Sequence, residues 1–86
     1  MTGALPVRVM VEDAWDEVVL ELPEQTPLAE VKRTALGLTR VTRSPSEYVL
    51  KYRGAELLDE GRSLAEAGVV PNGALIVLSR RRRPVR

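Results

Sequence analysis

Apolar and polar residues alternate along several short stretches of the chain, as they do in strands that bury one face. The clearest examples are VRVMV at 7–11 and VVLEL at 18–22. The segment AWDE contains a tight connection between them, and Pro23 follows the second stretch. The pattern therefore predicts a β-hairpin whose valines and leucines face one side.

The next segment has the period of a helix. Thr26 and Pro27 are typical of a helix start, with a hydroxyl at the N-cap and proline at the first helical position. Four apolar residues then follow at spacings of three, four and three, and Lys32 and its charged neighbours are predicted to lie off this face. The predicted buried face consists of Leu28, Val31, Ala35 and Leu38.

Strand patterns return in the second half of the chain. We expect a strand at 48–53, a short edge element at Leu57 and Leu58, and a final strand at 74–78. A chain of 86 residues forms one domain, and this element order favours an α+β layout with the helix across one face of the sheet. We expect the domain to span residues 1–79 and a basic flexible tail to span 80–86.

Composition narrows the chemistry. The chain has neither Cys nor His, which excludes thiolate chemistry, a catalytic triad and an ordinary zinc site. Carboxylates occur at the two turns, where they suggest either an acid–base pair or cation site, or solvated turns; we favour the turns. No catalytic residue, metal or cofactor is expected, nor a small-molecule substrate, and the protein is not expected to be an enzyme. These carboxylates are Asp13, Asp16, Glu17, Asp59 and Glu60.

The net charge of +1 conceals an asymmetry. The tail holds five of the thirteen basic residues, which leaves eight against all twelve acids in residues 1–79. The tail has three interpretations: contact with an anionic surface such as nucleic acid or lipid headgroups, a juxtamembrane stretch, or a solvated end. Its basic residues are Arg80, Arg81, Arg82, Arg83 and Arg86.

The segment 52–78 contains an aromatic-x-Gly motif at Tyr52 and Gly54, and the run from Asp59 to Leu64 reads Asp-x-Gly-Arg-Ser-Leu. In these motifs and their order it resembles the second half of a ubiquitin-like β-grasp domain. The hairpin and the helix match in order and length, so the resemblance covers about residues 6–78. It implies a mixed sheet of four to five strands, in which the first and last strands are parallel neighbours.

The resemblance also implies a function. Conjugated members and sulfur carriers of this fold end in Gly-Gly, whereas residues 80–86 contain no glycine and Pro84 lacks a backbone N–H. The sequence is more similar to non-conjugated bacterial ubiquitin-like proteins, such as the YukD-like components of type VII secretion. We therefore expect a non-enzymatic interaction module in the cytoplasm, without a membrane span. The alternatives are a modifier or sulfur-carrier relative, and an anionic-surface binder acting through the tail.

The predicted binding surface for another protein is the face of the sheet away from the helix. Period-two alternation places an apolar group with one lysine there, either as an interface or as scattered surface apolar residues. Lys51 stands where ubiquitin has the isoleucine of its binding patch, so ubiquitin's own receptors are not expected. Trp15 is either an anchor at the edge of this surface or an indole folded back over the hairpin. The predicted partner-binding residues are Met10, Trp15, Val19, Lys51, Ile76 and Leu78.

Overall fold

A five-stranded mixed sheet and one main helix make up the fold, in a computed structural model that describes residues 4–79. The strand order is β2-β1-β5-β3-β4, with β1 and β5 parallel and the other neighbours antiparallel. The predicted α+β class and the parallel first and last strands are confirmed. The elements are β1 (Ala4–Val11), β2 (Asp16–Pro23), α1 (Leu28–Leu38), a 3-10 turn (Pro45–Glu47), β3 (Tyr48–Tyr52), β4 (Ala55–Glu56) and β5 (Gly73–Ser79).

The core lies between α1 and one face of the sheet. Strand alternation directs every second side chain to this inner face, where Val7, Val9 and Val11 of β1 are fully buried. Leu75 and Val77 of β5 are equally buried. The predicted burial of Leu28 and Val31 on α1 is also confirmed; both are at most 1% exposed.

The N-terminus of α1 differs from the prediction by one residue. Pro27 is extended (φ −65°, ψ 147°) and occupies the N-cap, and no side chain caps the helix. The backbone N–H groups of Leu28 and Ala29, which have no acceptor within the helix, instead donate to the backbone oxygens of Arg62 (2.8 Å) and Glu60 (3.0 Å). A distant loop therefore satisfies the first turn, so the hydroxyl of Thr26 is not needed as a cap.

The buried face of α1 also differs from the prediction. Lys32 and Leu36 are buried, whereas Leu38, predicted to be in the core, is exposed. Leu38 is the last helical residue, where the helix ends at the C-cap Thr39. The lysine is accommodated because its ammonium group finds two oxygen acceptors.

The short edge strand also lies elsewhere than predicted. β4 pairs Ala55 and Glu56 with β3, whereas Leu57 and Leu58 follow it. The N–H of Leu57 still donates to the backbone oxygen of Leu50 (2.8 Å), so the chain leaves the sheet gradually. Within residues 4–79, no helix has the length and apolar character needed to cross a bilayer.

Candidate protein-binding face of the sheet

The outer face is the side of the sheet opposite α1, and its residues come into line across all five strands. Met10 of β1 pairs with Glu17 of β2 on one side and with Ile76 of β5 on the other. Ile76 in turn pairs with Lys51 of β3, which pairs with Glu56 of β4. We call these five residues the central row.

The structure brings most of the predicted apolar residues together on this face. Met10 and Ile76 are neighbours in the central row, and Leu78 lies two residues further along β5. Val19 belongs to the adjacent row, where Arg8 separates it from Ala74. Val19 is 65% exposed and Ile76 is 38% exposed, while Met10 and Leu78 are half-buried. The face therefore has an apolar centre with charged residues at its sides.

Val49 is an outer-face residue that the sequence analysis did not identify. It pairs with Leu78 and is only 8% exposed, although it does not belong to the core cluster beneath α1. The signal was present in β3, where Tyr48, Leu50 and Tyr52 point inward and leave Val49 and Lys51 outside. Val49 extends the apolar patch beyond the predicted residues.

Trp15 ends the turn between β1 and β2, at the end of the sheet where Leu78 lies. It has a left-handed backbone conformation (φ 56°), and its N–H donates to the backbone oxygen of Glu12 (3.0 Å). Its side chain is 78% exposed, so the indole is not folded back over the hairpin. Because Trp is large and apolar, its exposure is compatible with an anchor for a partner, which stays a prediction.

The acidic hairpin turn has a structural connection to the core. The Tyr48 hydroxyl donates a 2.7 Å hydrogen bond to Asp13 Oδ2, which joins the turn to the start of β3. Burial raises the pKa of Tyr48, and the hydrogen bond to Asp13 and its negative charge raise the pKa further. Asp13 therefore stabilises the neutral phenol. Asp16 and Glu17 are exposed at the start of β2.

The second acidic turn is also structural. Lys32 Nζ donates to Glu60 Oε2 (2.8 Å) and to the backbone oxygen of Tyr48 (2.8 Å). Asp59 Oδ1 accepts the N–H of Gly61 (3.1 Å) and so holds the turn itself. Across residues 4–79 no group of three potential ligands is placed to hold a metal ion.

A shallow groove beside β4 is a second surface with exposed apolar groups. Its volume is ≈ 190 Å³, and Leu58 at its rim is 77% exposed. Acidic and basic side chains share the lining with apolar ones, so the groove has no single chemical character. The lining residues are Leu28, Glu56, Leu57, Leu58, Asp59, Arg62, Glu66 and Ala67. The predicted anionic-surface contacts, Arg80 to Arg83 and Arg86, lie outside the described residues.

No family model and no curated protein matches this sequence. Solved structures do match. A ubiquitin-like domain of an Arabidopsis thaliana protein is 18% identical with a TM-score of 0.78, over 99% of this chain and 86% of that one. Ubiquitin from Caldiarchaeum subterraneum is 18% identical with a TM-score of 0.77, over 96% and 98% of the two chains. A designed protein based on ubiquitin is 17% identical with a TM-score of 0.79, over the full length of both.

These similarities establish the fold. The chain has the ubiquitin-like β-grasp fold, with a five-stranded mixed sheet and one helix packed across it. At 17–18% identity the similarity concerns backbone architecture, and one fold serves many functions. The function must therefore be argued from this chain's own surface.

Proposed function

We propose that this protein is a non-enzymatic interaction module that binds another protein through the outer face of its sheet. The observation that carries the proposal is the apolar centre of that face. Met10, Ile76 and Leu78 keep exposed surface on adjacent strands, on the side of the sheet that α1 does not cover, and the buried Val49 lies beside Leu78. Contiguous apolar surface of this kind, bordered by charge, is typical of binding sites.

The charged border supports the same function. Arg8 and Glu17 are exposed on one side of the apolar centre, and Lys51 is half-buried on the other. An apolar centre with a polar border is the usual arrangement of a protein–protein interface. Charges of both signs favour a protein partner over a uniformly anionic one, since nucleic acid and lipid headgroups select basic surfaces.

The proposed setting is the bacterial cytoplasm, where the protein would act as an accessory component of a secretion apparatus. The support is the ubiquitin-like fold together with the sequence resemblance to YukD-like proteins. Recovery of secretion-apparatus subunits with the tagged protein from its native cells is the expected result. Consistent recovery of an unrelated set of proteins would contradict this setting.

Ile76→Glu tests the binding face. The substitution places a carboxylate in the apolar centre, at a position that is already 38% exposed, so the fold is expected to persist. Leu58→Glu is the matched control because it makes the same change at the groove. We expect Ile76→Glu to abolish capture of the partner and Leu58→Glu to retain it, with unchanged circular dichroism spectra. Loss of capture in Leu58→Glu alone would place the interface at the groove instead.

A further inference from the structure

Four residues of the central row are arranged symmetrically about its apolar pair, while the fifth, Glu56 on β4, has no counterpart beyond β2. Met10 and Ile76 lie on the adjacent parallel strands β1 and β5. One strand further out, Glu17 lies beside Met10 and Lys51 lies beside Ile76. On one side of a line midway between β1 and β5, Met10 is followed by the negative charge of Glu17. On the other side, one strand away in the same way, Ile76 is followed by the positive charge of Lys51.

This arrangement is complementary to itself. Consider two copies that pack face to face about a two-fold axis, which lies between the two sheets, above that line and parallel to the strands. The rotation places the β1 side of one copy opposite the β5 side of the other and leaves each residue's position along the strands unchanged. Met10 of one copy then faces Ile76 of the other, and Glu17 faces Lys51. Because the axis repeats every contact, the interface contains two apolar contacts and two ion pairs.

We propose that the outer face binds a second copy of this chain and forms a symmetric face-to-face dimer. This inference rests on the proposed function, since it names the partner of the same face. The parallel pairing of β1 with β5 matters here, because it places Met10 and Ile76 side by side at the centre of the sheet.

The distances and the neighbouring row are compatible with this dimer. Packed sheets lie about 10 Å apart, which extended Lys and Glu side chains can span together. In the adjacent row the same axis places Arg8 opposite Ala74, so no like charges face each other directly there. The strands of two aligned, twisted sheets cross at about −30°. Such a rotation about the normal to the sheets displaces the contacts near the middle of the central row least.

The size of the face indicates a weak dimer. The four longer strands have 8, 8, 5 and 7 residues. With strands about 4.8 Å apart and a rise of about 3.3 Å per residue, they give the face a planar footprint of roughly 440 Å². Stable interfaces bury about 800 Å² on each partner. Association is therefore expected to depend on concentration and to weaken when salt screens the two ion pairs.

A charge-swap experiment tests the proposal directly. The association constant is measured by sedimentation equilibrium, over a wide concentration range, for the full chain and its Glu17→Lys, Lys51→Glu and doubly substituted variants. Each single reversal opposes like charges at two places, so we expect the association constant to fall at least about tenfold. The double variant restores both ion pairs with reversed polarity and is expected to recover the association of the original chain.

Glu21→Lys is the control for net charge. Glu21 lies on the same strand as Glu17 and is also exposed, but it pairs with Pro6, outside the central row. Its reversal changes net charge as Glu17→Lys does and is expected to leave association unchanged. Circular dichroism confirms that each variant is folded, and Glu17→Gln and Lys51→Gln replace any reversal that is not.

The outcomes separate this proposal from the proposed function. A monomeric chain at every concentration would overturn the dimer, while a partner protein lost in Ile76→Glu would still support the binding face. A dimer that resists the single reversals, or that the double variant does not restore, would also overturn the proposal. Either result would indicate that the copies associate through another surface. One candidate is the outer edge of β2, which pairs with no other strand among the described residues. If Ile76→Glu changes neither self-association nor capture, both proposals fail.

Discussion

The two faces of the sheet use the same strands in different ways, and β5 shows the contrast within four residues. Leu75 and Val77 point toward α1 and are fully buried. Ile76 and Leu78 point away from α1 and retain exposed surface. The helix α1 packs on the inner apolar residues and shields them from water. It does not cover the outer ones. The exposed apolar residues of the outer face are therefore more readily explained by binding than by folding.

The two lysines of the chain show the same contrast. Lys32 is 3% exposed and has an acceptor on Glu60 and another on the backbone of Tyr48. Lys51 is half-buried in the central row, between Ile76 and Glu56. Among residues 4–79 no buried side-chain nitrogen or oxygen lacks a hydrogen-bond partner. The inner face thus admits a charge only where it is fully paired, and the outer face has no such requirement.

The largest expected effect comes from truncating adjacent residues of β5. Leu75→Ala should lower the free energy of unfolding by about 2–5 kcal/mol, because it leaves a cavity beneath α1. Ile76→Ala is the matched variant on the opposite face and should cost about 1 kcal/mol or less. Urea unfolding followed by circular dichroism measures both. Equal losses would show that the outer face is as necessary to the fold as the inner one.

The second prediction compares the two lysines. Lys32→Met should cost about 2–4 kcal/mol, because it leaves the Glu60 carboxylate and a backbone oxygen without their donor. Lys51→Met should change stability by about 0.5 kcal/mol or less. Adding Glu60→Gln to Lys32→Met should recover part of the loss, since it removes the unpaired charge. The same unfolding measurement applies, and a negligible effect of Lys32→Met would contradict the pairing.

The third prediction concerns alkaline pH. The pKa of Tyr48 is raised above its ordinary value of 10.0, so the folded protein retains the phenolic proton at pH values where the unfolded chain has lost it. Its contribution to the free energy of unfolding is therefore fully present below pH 10 and is lost as pH rises through the folded pKa. Unfolding measured from about pH 8 to 11 should show this decline, with a smaller decline in Tyr48→Phe.

Asp13→Asn is the control for the charge at that site. The amide still offers an oxygen to the Tyr48 hydroxyl but removes the negative charge that raises the pKa. In Asp13→Asn, the decline of the free energy of unfolding with rising pH should be smaller than in the unsubstituted protein and larger than in Tyr48→Phe. If neither variant changes the decline, titrating groups other than Tyr48 cause it.

The smallest effect on stability is expected from the basic tail. Deleting residues 80–86 should leave the melting temperature nearly unchanged, because the deletion removes no predicted core position. It should lower retention on an anionic matrix at low salt, since each basic residue near such a surface contributes about 1 kcal/mol. Replacing the five arginines with serines is the length-matched control and should have the same effect. Retention that survives both changes would place the anionic contact on the domain.

The sequence predicted the two sides of the strands more completely than it predicted the buried face of the helix. Period-two alternation assigned Met10, Val19 and Ile76 to the outer face, because a strand fixes which side each residue faces. The helix prediction was less accurate, since it placed Leu38 in the core and left Lys32 outside. Helical periodicity locates an apolar stripe, but it does not reveal which polar residue will find a buried partner.

By itself, the sequence determined the type and order of the main elements and the two faces of the strands, because these follow from local periodicity and turn chemistry. Only the tertiary structure decided the contacts between distant segments. These are the capping of α1 by the backbone of Arg62 and Glu60, the ion pair of Lys32 with Glu60, and the hydrogen bond of Tyr48 to Asp13. The alignment of the central row belongs to the same class, since it depends on the register of strands far apart in the chain. Local patterns carry no record of that register, which packing and backbone hydrogen bonds establish together.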